Sequence, residues 1–360
     1  MLFYLPLVAA VPILYRAFYR NEHRDRIILS SMCIIMFLLL ALRKPFSDVK
    51  SYQVMYEELR GVPFGDIIRD FHLVKACAIS GCEWGYSFIC WVFSNIGLHF
   101  QFFLVFESAF CVFCVYRFID RNSLNIPLSI SLIVMLGAFD YMYIVIRQSI
   151  ALGFLLLSVE SIKKRNLPVF LILVLCAVMI HRTSALFLLV YPLSYLSITR
   201  IKVAVFSCVS LLLIPVCPLL EGFFMKVMTL LDKTAYMEGF AFEFNELILV
   251  ILAIIVFLMV LFDQKRSDEV KNRVVFWAFM ISLPLHAVSC YVAILGRLST
   301  LTFLPFASIA IPNLLETNEN KKMVKVLEIL IFAAAVAYYA ICLFLDKREL
   351  ELIPYRFFFN

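Results

Sequence analysis

Two arginines stand alone where apolar stretches of the sequence are interrupted. Arg147 follows the stretch from residue 141 to 146, and Arg297 follows Gly296 between two long apolar runs. An arginine has no neutral form at physiological pH, so at such a boundary it needs an anionic partner, and its planar fork suits a phosphate group. We therefore predict that both arginines bind a phosphorylated ligand. The alternative for Arg147 is an ion pair with Asp140, because an i, i+7 spacing puts both on one helix face.

A histidine lies in a similar position. His181 stands in a short break between two apolar runs, so it is expected where two helices meet an interface. A neutral imidazole at such a place can take a proton from a sugar hydroxyl near pH 7. A histidine that only caps a helix is the alternative, and the sequence leaves both open.

Two carboxylates bracket the longest segment that is not apolar throughout, residues 43 to 100. Asp48 lies near its start, and Glu83 opens its last part. Either could act as a general base or bind sugar hydroxyls. Aromatic residues close to Glu83 offer faces on which sugar rings can stack: Trp84, Tyr86 and Trp91. Most other charges of this segment are expected on a solvated helix face.

The elements that must position these residues are membrane helices. The chain is 63% hydrophobic and 16% charged over 360 residues, and its apolar runs have the length of about 15 to 20 residues that crosses a bilayer. A soluble core cannot absorb that much apolar surface. The net charge of +6 comes from basic residues in short loops, where it sets topology and predicts no binding to nucleic acid.

Hydropathy predicts an all-α, polytopic bundle of about twelve spans with both ends outside. The predicted helices lie near residues 2–15, 27–42, 101–116, 127–144, 147–162, 167–181, 184–198, 203–219, 246–262, 274–294, 298–313 and 326–345. With the basic loops placed inside, the lone polar residues fall together at the other face. Glu107 and His286 lie within spans and are expected to bond to neighbouring helices.

The apolar run from Trp84 to Leu98 does not fit that count, because a further crossing would move every later basic loop outside. We predict a re-entrant or surface helix on the outer side. The whole chain, 1–360, is expected to form a single integral membrane domain. Its main outer segments are residues 43–100, which should carry amphipathic helices, and a second loop at 220–246.

The eleven cysteines show no metal-ligand spacing, and most lie inside apolar runs, where they act as small packing residues. Cys77 and Cys82 fall in the outer segment, where an oxidising compartment permits a disulfide. The sequence has no glycine-rich phosphate loop and no paired-aspartate motif. We therefore expect no cofactor and metal-independent chemistry.

The order of these motifs resembles the EpsG-like branch of the Wzy-type O-antigen and exopolysaccharide polymerases. The motifs that carry the resemblance are Leu42-Arg43, Asp48 with Tyr52, Glu83-Trp84-Gly85-Tyr86, Ile146-Arg147-Gln148, His181-Arg182-Thr183-Ser184-Ala185-Leu186, Arg297, and Ile353-Pro354-Tyr355-Arg356. The resemblance runs through nearly the whole chain. Two departures are Phe46-Ser47-Asp48, where the family often has a Gly-Thr-Asp-like string, and Arg182, where lysine is common.

The resemblance implies a GT-C-like glycosyltransferase of the bacterial inner membrane that joins repeat units carried on undecaprenyl diphosphate at the periplasmic face. Its partners would be that lipid-linked oligosaccharide, the bilayer and a chain-length regulator protein. Arg147, Arg297 and Arg43 would hold the diphosphate, and His181, Glu83 or Asp48 would deprotonate the acceptor. The residues expected to bind sugar or to support the site are Tyr52, Tyr86, Trp84, Gln148, Arg182 and Tyr355.

Two other functions use the same membrane and similar lipids. A flippase for the lipid-linked oligosaccharide should carry charges along a path between both faces, whereas the candidates here fall at one face. The few glycines, 10 in the chain, also argue against helices that break and rock. An acyltransferase or O-antigen ligase would differ in its acceptor.

Overall fold

The computed structural model of the protein describes residues 23–69, 83–230, 270–318, 320–344 and 355–359. Helices make up nearly all of these ranges, and the one β pairing within them is an isolated antiparallel bridge between Arg43 and Phe357. The predicted all-α class is confirmed for this part of the chain.

The helices group into two compact units, one drawn from Met1–Leu188 with Ala334–Asn360 and the other from Leu189–Ala333. Helices up to the boundary are α1 (Arg24–Ala41), α2 (Asp48–Glu58), α3 (Phe64–Arg69), α4 (Trp84–Asn95), α5 (Phe100–Asn122), α6 (Ile126–Met135), α7 (Ala138–Ile144), α8 (Ile146–Lys163) and α9 (Leu167–Ile180). The helices of the second unit are α10 (Val190–Leu193), α11 (Arg200–Val216), α12 (Glu221–Leu230), α13 (Val270–Ser289), α14 (Ala293–Thr302) and α15 (Ala307–Thr317). The last helix, α16 (Lys321–Phe344), begins in the second unit and belongs to the first unit from Ala334 onwards. Short 3-10 turns cover Arg182–Leu189, Cys217–Leu220 and Leu304–Phe306.

In the first unit, α8 packs against both α5 and α9, and α1 packs along α5. The α8–α5 contact is close at Gly153, where a Cβ atom would lie 2.6 Å from Cε1 of Phe110. Because α8 and α9 are consecutive and joined by a tight turn, the start of α8 and the end of α9 lie at the same end of the pair. That end carries Arg147 and His181.

Two of these helices begin with the same local signal. Asn125 and Asn166 cap α6 and α9, where their side-chain oxygens accept hydrogen bonds from the backbone N–H groups of Leu128 and Val169, both at 3.2 Å. In each case a proline occupies the first turn of the helix, where its missing N–H costs nothing. The string Asn-X-Pro therefore fixes where both helices start.

Four helical stretches among the described residues are long and apolar enough to cross a membrane: Phe100–Asn122, Arg200–Lys226, Leu295–Thr317 and Lys322–Ala340. A fifth is obtained if α6 and α7 are counted as one broken span. A membrane protein is supported by length and composition, whereas the count of about twelve spans stays a prediction. The predicted helices at 2–15 and 246–262, and the Cys77–Cys82 bridge, lie outside the described residues.

Two predicted spans are wrong in detail. The helix expected at 127–144 is two helices bent by 50°, because Gly137 adopts φ of 90°, which ends α6. The helix expected at 184–198 is a 3-10 turn over Arg182–Leu189 followed by the short α10. Hydropathy identified both stretches as apolar but carries no information on backbone geometry.

The expected helix after Trp84 is present as α4, and its re-entrant or surface placement stays a prediction. The helices expected in the segment from residue 43 to 100 are α2 and α3. In the second outer loop, 220–246, α12 is described up to Leu230. A single membrane domain over 1–360 also stays a prediction.

Candidate active site

Three helix ends of the first unit converge on Glu83. This residue precedes the first turn of α4, while Arg147 lies in the first turn of α8 and His181 directly follows α9. All three side chains are between 13% and 17% exposed, so they are mostly buried but reachable. We call these residues, with Tyr52, Gln148 and Arg182, the Glu83 cluster.

The Glu83 carboxylate accepts hydrogen bonds on both of its oxygen atoms. Its Oε2 receives a hydrogen bond from Arg147 Nη1 at 2.9 Å, and its Oε1 receives one from the backbone N–H of Arg182 at 3.1 Å. His181 Nδ1 lies 3.5 Å from the same Oε1, and Arg182 Nε lies 3.7 Å from it. A single carboxylate thus links residues that are 64 and 99 positions away in the chain.

These contacts keep Glu83 ionised. Burial alone would raise its pKa, but the His181 side chain, the Arg182 N–H and the charge of Arg147 outweigh burial and lower the pKa of Glu83 to about 2. At neutral pH the cluster therefore holds one negative and two positive charges, besides the imidazole. The excess positive charge favours an anionic ligand.

Arg147 is fixed by an aromatic residue as well as by Glu83. Its Nε donates to the hydroxyl of Tyr52 at 3.1 Å, and its Cζ lies 5.4 Å from the centre of the Tyr52 ring. Tyr52 packs edge-on against the buried Tyr86, with ring centres 5.4 Å apart. The ion pair that the structure gives Arg147 is with Glu83, whereas Asp140 receives a hydrogen bond from Tyr339 at 3.5 Å.

The imidazole of His181 lies between Gln148 on one side and the Glu83 carboxylate, 3.5 Å away, on the other. Nε2 of His181 lies 2.8 Å from the amide nitrogen of Gln148. In that orientation the amide NH₂ has no lone pair to offer, so the imidazole Nε2 is the acceptor and the ring proton sits on Nδ1, towards Glu83. This tautomer leaves a basic nitrogen on the side away from the carboxylate.

The cluster depends on a close contact between α4 and α9. At Gly85 a Cβ atom would lie 2.8 Å from the backbone oxygen of Met179 and 2.9 Å from its backbone carbon. Only glycine permits this approach, which brings Glu83 beside His181. Sequence reasoning did not single out Gly85 for this role, although a glycine near the start of a helix in a glycine-poor chain is a detectable signal.

Arg43, a predicted diphosphate ligand, lies in a different cluster. Its fully buried guanidinium donates to Glu107 Oε2 at 3.1 Å and to the backbone oxygen of Leu40 at 2.6 Å. Glu107 was predicted to bond to a neighbouring helix, whereas its partner Arg43 lies in the segment directly after α1. Tyr355, predicted to support the site, donates to the backbone oxygen of Leu39 at 2.8 Å and packs against Tyr143. A diphosphate role for Arg43 stays a prediction that would require this pair to open.

Two other predicted residues stand apart from the Glu83 cluster. Asp48 is exposed at the start of α2 and makes no hydrogen bond or ion pair with the described residues. The preceding Ser47 has φ of 47°, a left-handed conformation that is strained for a residue with a side chain. Arg297 is exposed in α14 of the second unit, where it pairs with no described residue. Their roles stay predictions.

Of the predicted stacking residues, Tyr86 is fully buried, whereas Trp84 and Trp91 are half-buried on α4. Trp84 stacks on Phe88, with ring centres 5.1 Å apart and planes 9° apart. Phe88, which sequence reasoning did not select, therefore belongs to the surroundings of the site.

The comparisons with known proteins agree with the pattern of motifs. No curated protein and no solved structure matches the chain. The model of the EpsG family matches residues 26–357, which include every residue of the Glu83 cluster. The chain therefore belongs to the EpsG family.

Proposed function

We propose that the protein is a polysaccharide polymerase that joins oligosaccharide repeat units carried on undecaprenyl diphosphate, at the periplasmic face of the inner membrane. Family membership supports a polymerase-type role in polysaccharide biosynthesis. The observation that carries the proposal is the Glu83 cluster, in which Arg147 and His181 are held by one ionised carboxylate.

In the proposed reaction, a hydroxyl oxygen of the acceptor repeat unit attacks the anomeric carbon of the donor chain. The bond between that carbon and the diphosphate oxygen breaks, and undecaprenyl diphosphate leaves with the bonding electron pair. The hydroxyl proton passes to Nε2 of His181, which Gln148 must first release. His181 is favoured as the base over Glu83, because a carboxylate with a pKa of about 2 takes up a proton poorly at neutral pH.

Glu83 then serves to orient the imidazole and to stabilise it once it is charged, as carboxylates do in other histidine bases. The leaving diphosphate gains negative charge, which Arg147 and the 71% exposed Arg182 can neutralise. Arg297 and Arg43 are further candidates for this clamp. The undecaprenyl carrier, the periplasmic orientation of the site and a reaction that needs no metal ion are all parts of this proposal.

The test is a polysaccharide gel of a deletion strain complemented with wild type, Arg147→Ala or Arg147→Lys. Wild type should give a ladder and Arg147→Ala a single-repeat band, a loss on the order of 100-fold or more, as for the removal of one charge-stabilising donor. Arg147→Lys should stay largely inactive, because lysine cannot donate to Glu83 and Tyr52 from one planar fork. Arg117→Ala, which removes an exposed arginine of α5, is the matched control and should keep the ladder.

Each variant must reach the membrane in the amount of the wild type. A full ladder with Arg147→Ala would remove Arg147 from the site. If the deletion strain makes no surface-attached repeat and accumulates lipid-linked units, the protein is a flippase or a ligase and not a polymerase.

A further inference from the structure

A row of aromatic rings runs along α4 away from Glu83. Trp84, Phe88 and Trp91 have the i, i+4, i+7 spacing of one helix face, and their planes are nearly parallel, 9° apart for the first pair and 20° for the second. Phe64 of α3 contacts both Phe88 and Trp91, with ring centres 6.4 and 5.3 Å apart. We call these four residues the aromatic ladder.

The far end of the ladder is fixed by the protein. The indole Nε1 of Trp91 donates to the backbone oxygen of Val62 at 2.7 Å, and Asn95 one turn further ties α4 to the backbone of Leu59 at 2.9 Å. Stacked rings that are anchored in this way have little freedom to turn. The ladder therefore holds Trp84 in one orientation.

The near end of the ladder is Trp84, which is half-buried. Within the described ranges, no aromatic ring covers the second face of Trp84, and no group accepts a hydrogen bond from its indole N–H. This half-buried ring directly follows Glu83, whose carboxylate contacts His181 and Arg182. Among the described residues, an aromatic ring stacked on one side and an indole N–H without an acceptor thus directly follow Glu83 in the chain.

We propose that the face of Trp84 opposite Phe88 is the stacking site for the acceptor sugar whose hydroxyl His181 deprotonates. This inference rests on the proposed function and names a subsite for it. The C–H groups on one face of a pyranose ring carry partial positive charge, which the negative face of an indole attracts, while the indole N–H can donate to a sugar hydroxyl. A site fixed in advance binds with a smaller loss of entropy.

The surroundings favour a sugar over a lipid chain as the occupant. Arg60, Asp66 and Asn95 are exposed polar residues on the segments that hold the ladder, and such groups belong beside water rather than hydrocarbon. The ladder also begins at the residue that follows Glu83, which places a ligand on Trp84 next to the charged cluster in the proposed arrangement. An aromatic belt at the bilayer interface is the competing explanation.

The chain allows a direct test, because its three tryptophans are Trp84, Trp91 and the buried Trp277. Trp277→Phe leaves only ladder tryptophans as fluorophores. The purified variant is titrated with oligosaccharides of a few repeat units, released by mild acid from the strain's own polysaccharide. We expect a saturable change in emission and protection from acrylamide. The double variant Trp84→Phe/Trp277→Phe should lose most of the emission change.

Affinity is then compared without fluorescence, by calorimetry with the same oligosaccharides. Trp84→Leu should weaken binding by about 3- to 10-fold, and Trp84→Phe, which keeps an aromatic face, by less. An emission that does not respond to oligosaccharide, in a protein that still makes polymer in cells, would overturn the subsite. So would quenching of Trp84 by brominated phospholipid in vesicles without any response to oligosaccharide, which would indicate a bilayer belt. Failure of the wild type to make polymer would instead overturn the proposed function.

Discussion

Two arginine–glutamate pairs of the first unit, Arg43–Glu107 and Arg147–Glu83, differ in exposure and in surroundings. Arg43 and Glu107 are both 0% exposed, and the arginine also bonds to Leu40. Arg147 and Glu83 are 17% and 13% exposed and share their contacts with an imidazole and a second arginine. The first pair is closed to ligands, whereas the second lies where a ligand can reach it.

The difference shows why a lone arginine in an apolar sequence does not by itself identify a binding site. Both arginines interrupt apolar stretches, and both are satisfied by a glutamate about 64 residues away. A buried pair is expensive to break but adds little net stability, because desolvation offsets the attraction. We call Arg43–Glu107 the closed pair and Arg147–Glu83 the open pair. Loss of the closed pair should mainly affect folding, and loss of the open pair should mainly affect activity.

The largest effect is expected from opening the closed pair. Arg43→Ala leaves Glu107 without its charge partner in the core, which should cost about 3–5 kcal/mol of unfolding free energy. The measurement is thermal unfolding of the purified protein in detergent. Arg43→Met with Glu107→Leu should regain most of the loss, because apolar residues of similar size remove both charges. If Arg43→Ala folded like wild type but made no polymer, Arg43 would belong to the active site.

The open pair should give a pH-dependent stability. The pKa of Glu83 is lowered from 4.5 to about 2 in the folded protein, so its contribution is fully present above about pH 4.5 and disappears as the pH falls towards 2. The corresponding free energy is about 3 kcal/mol. The stability difference between wild type and Glu83→Gln should shrink over this window. Glu58→Gln, at an exposed position of α2, should show no such change, and a pH-independent difference for Glu83→Gln would contradict the pairing.

The close contact between α4 and α9 supports the Glu83 cluster but not the Arg43–Glu107 pair, so a variant at this contact should affect only the Glu83 cluster. Gly85→Ala forces a Cβ atom against the Met179 backbone and pushes α4 from α9, at a cost of about 1–3 kcal/mol. Polymer should fall sharply while the Arg43 pair stays intact. Gly65→Ala is the matched control, because nothing lies within 4 Å of its added Cβ and alanine favours the helix. Equal behaviour of the two variants would exclude the close contact.

The smallest effect is expected at the edge of the open pair. Tyr52→Phe removes the hydroxyl that accepts from Arg147 Nε but keeps the ring beside the guanidinium. The polymerisation rate should fall about fivefold, equivalent to about 1 kcal/mol. Tyr56→Phe, which removes a hydroxyl bonded to Leu98, should lower stability without slowing the reaction. A Tyr52→Phe protein with the wild-type rate would show that the ring alone fixes Arg147.

Much of the Glu83 cluster could be predicted from the sequence, because polar residues at apolar boundaries are costly and therefore few. His181 and Arg147 stand out for this reason, and Glu83 stands out at the start of an apolar run. Their partners could not be predicted. Asp140 is near Arg147 in sequence, but the partner in the structure is Glu83, 64 residues earlier and directly before α4. Hydropathy does not show which helices touch.

The fold, too, could be predicted from the sequence only in part. Hydropathy predicted the start of a helix well where a capping residue marks it, as at Asn125 and Asn166. The 3-10 turn after His181 did not, because apolar residues are equally compatible with either helix geometry. The break at Gly137 had a local signal, since glycine readily adopts positive φ, but an apolar run of sufficient length concealed it.

The bridge between Arg43 and Phe357 constrains the path of the chain across the bilayer. Lys44 donates to the backbone oxygen of Arg356 at 2.9 Å, and Phe358 donates to that of Leu42 at 3.0 Å. Two segments bonded to each other lie at the same membrane depth, so we expect the chain between them to cross the bilayer an even number of times. A few hydrogen bonds thus predict an even number of crossings, and we expect reporters fused beside residues 44 and 359 to report the same side of the membrane.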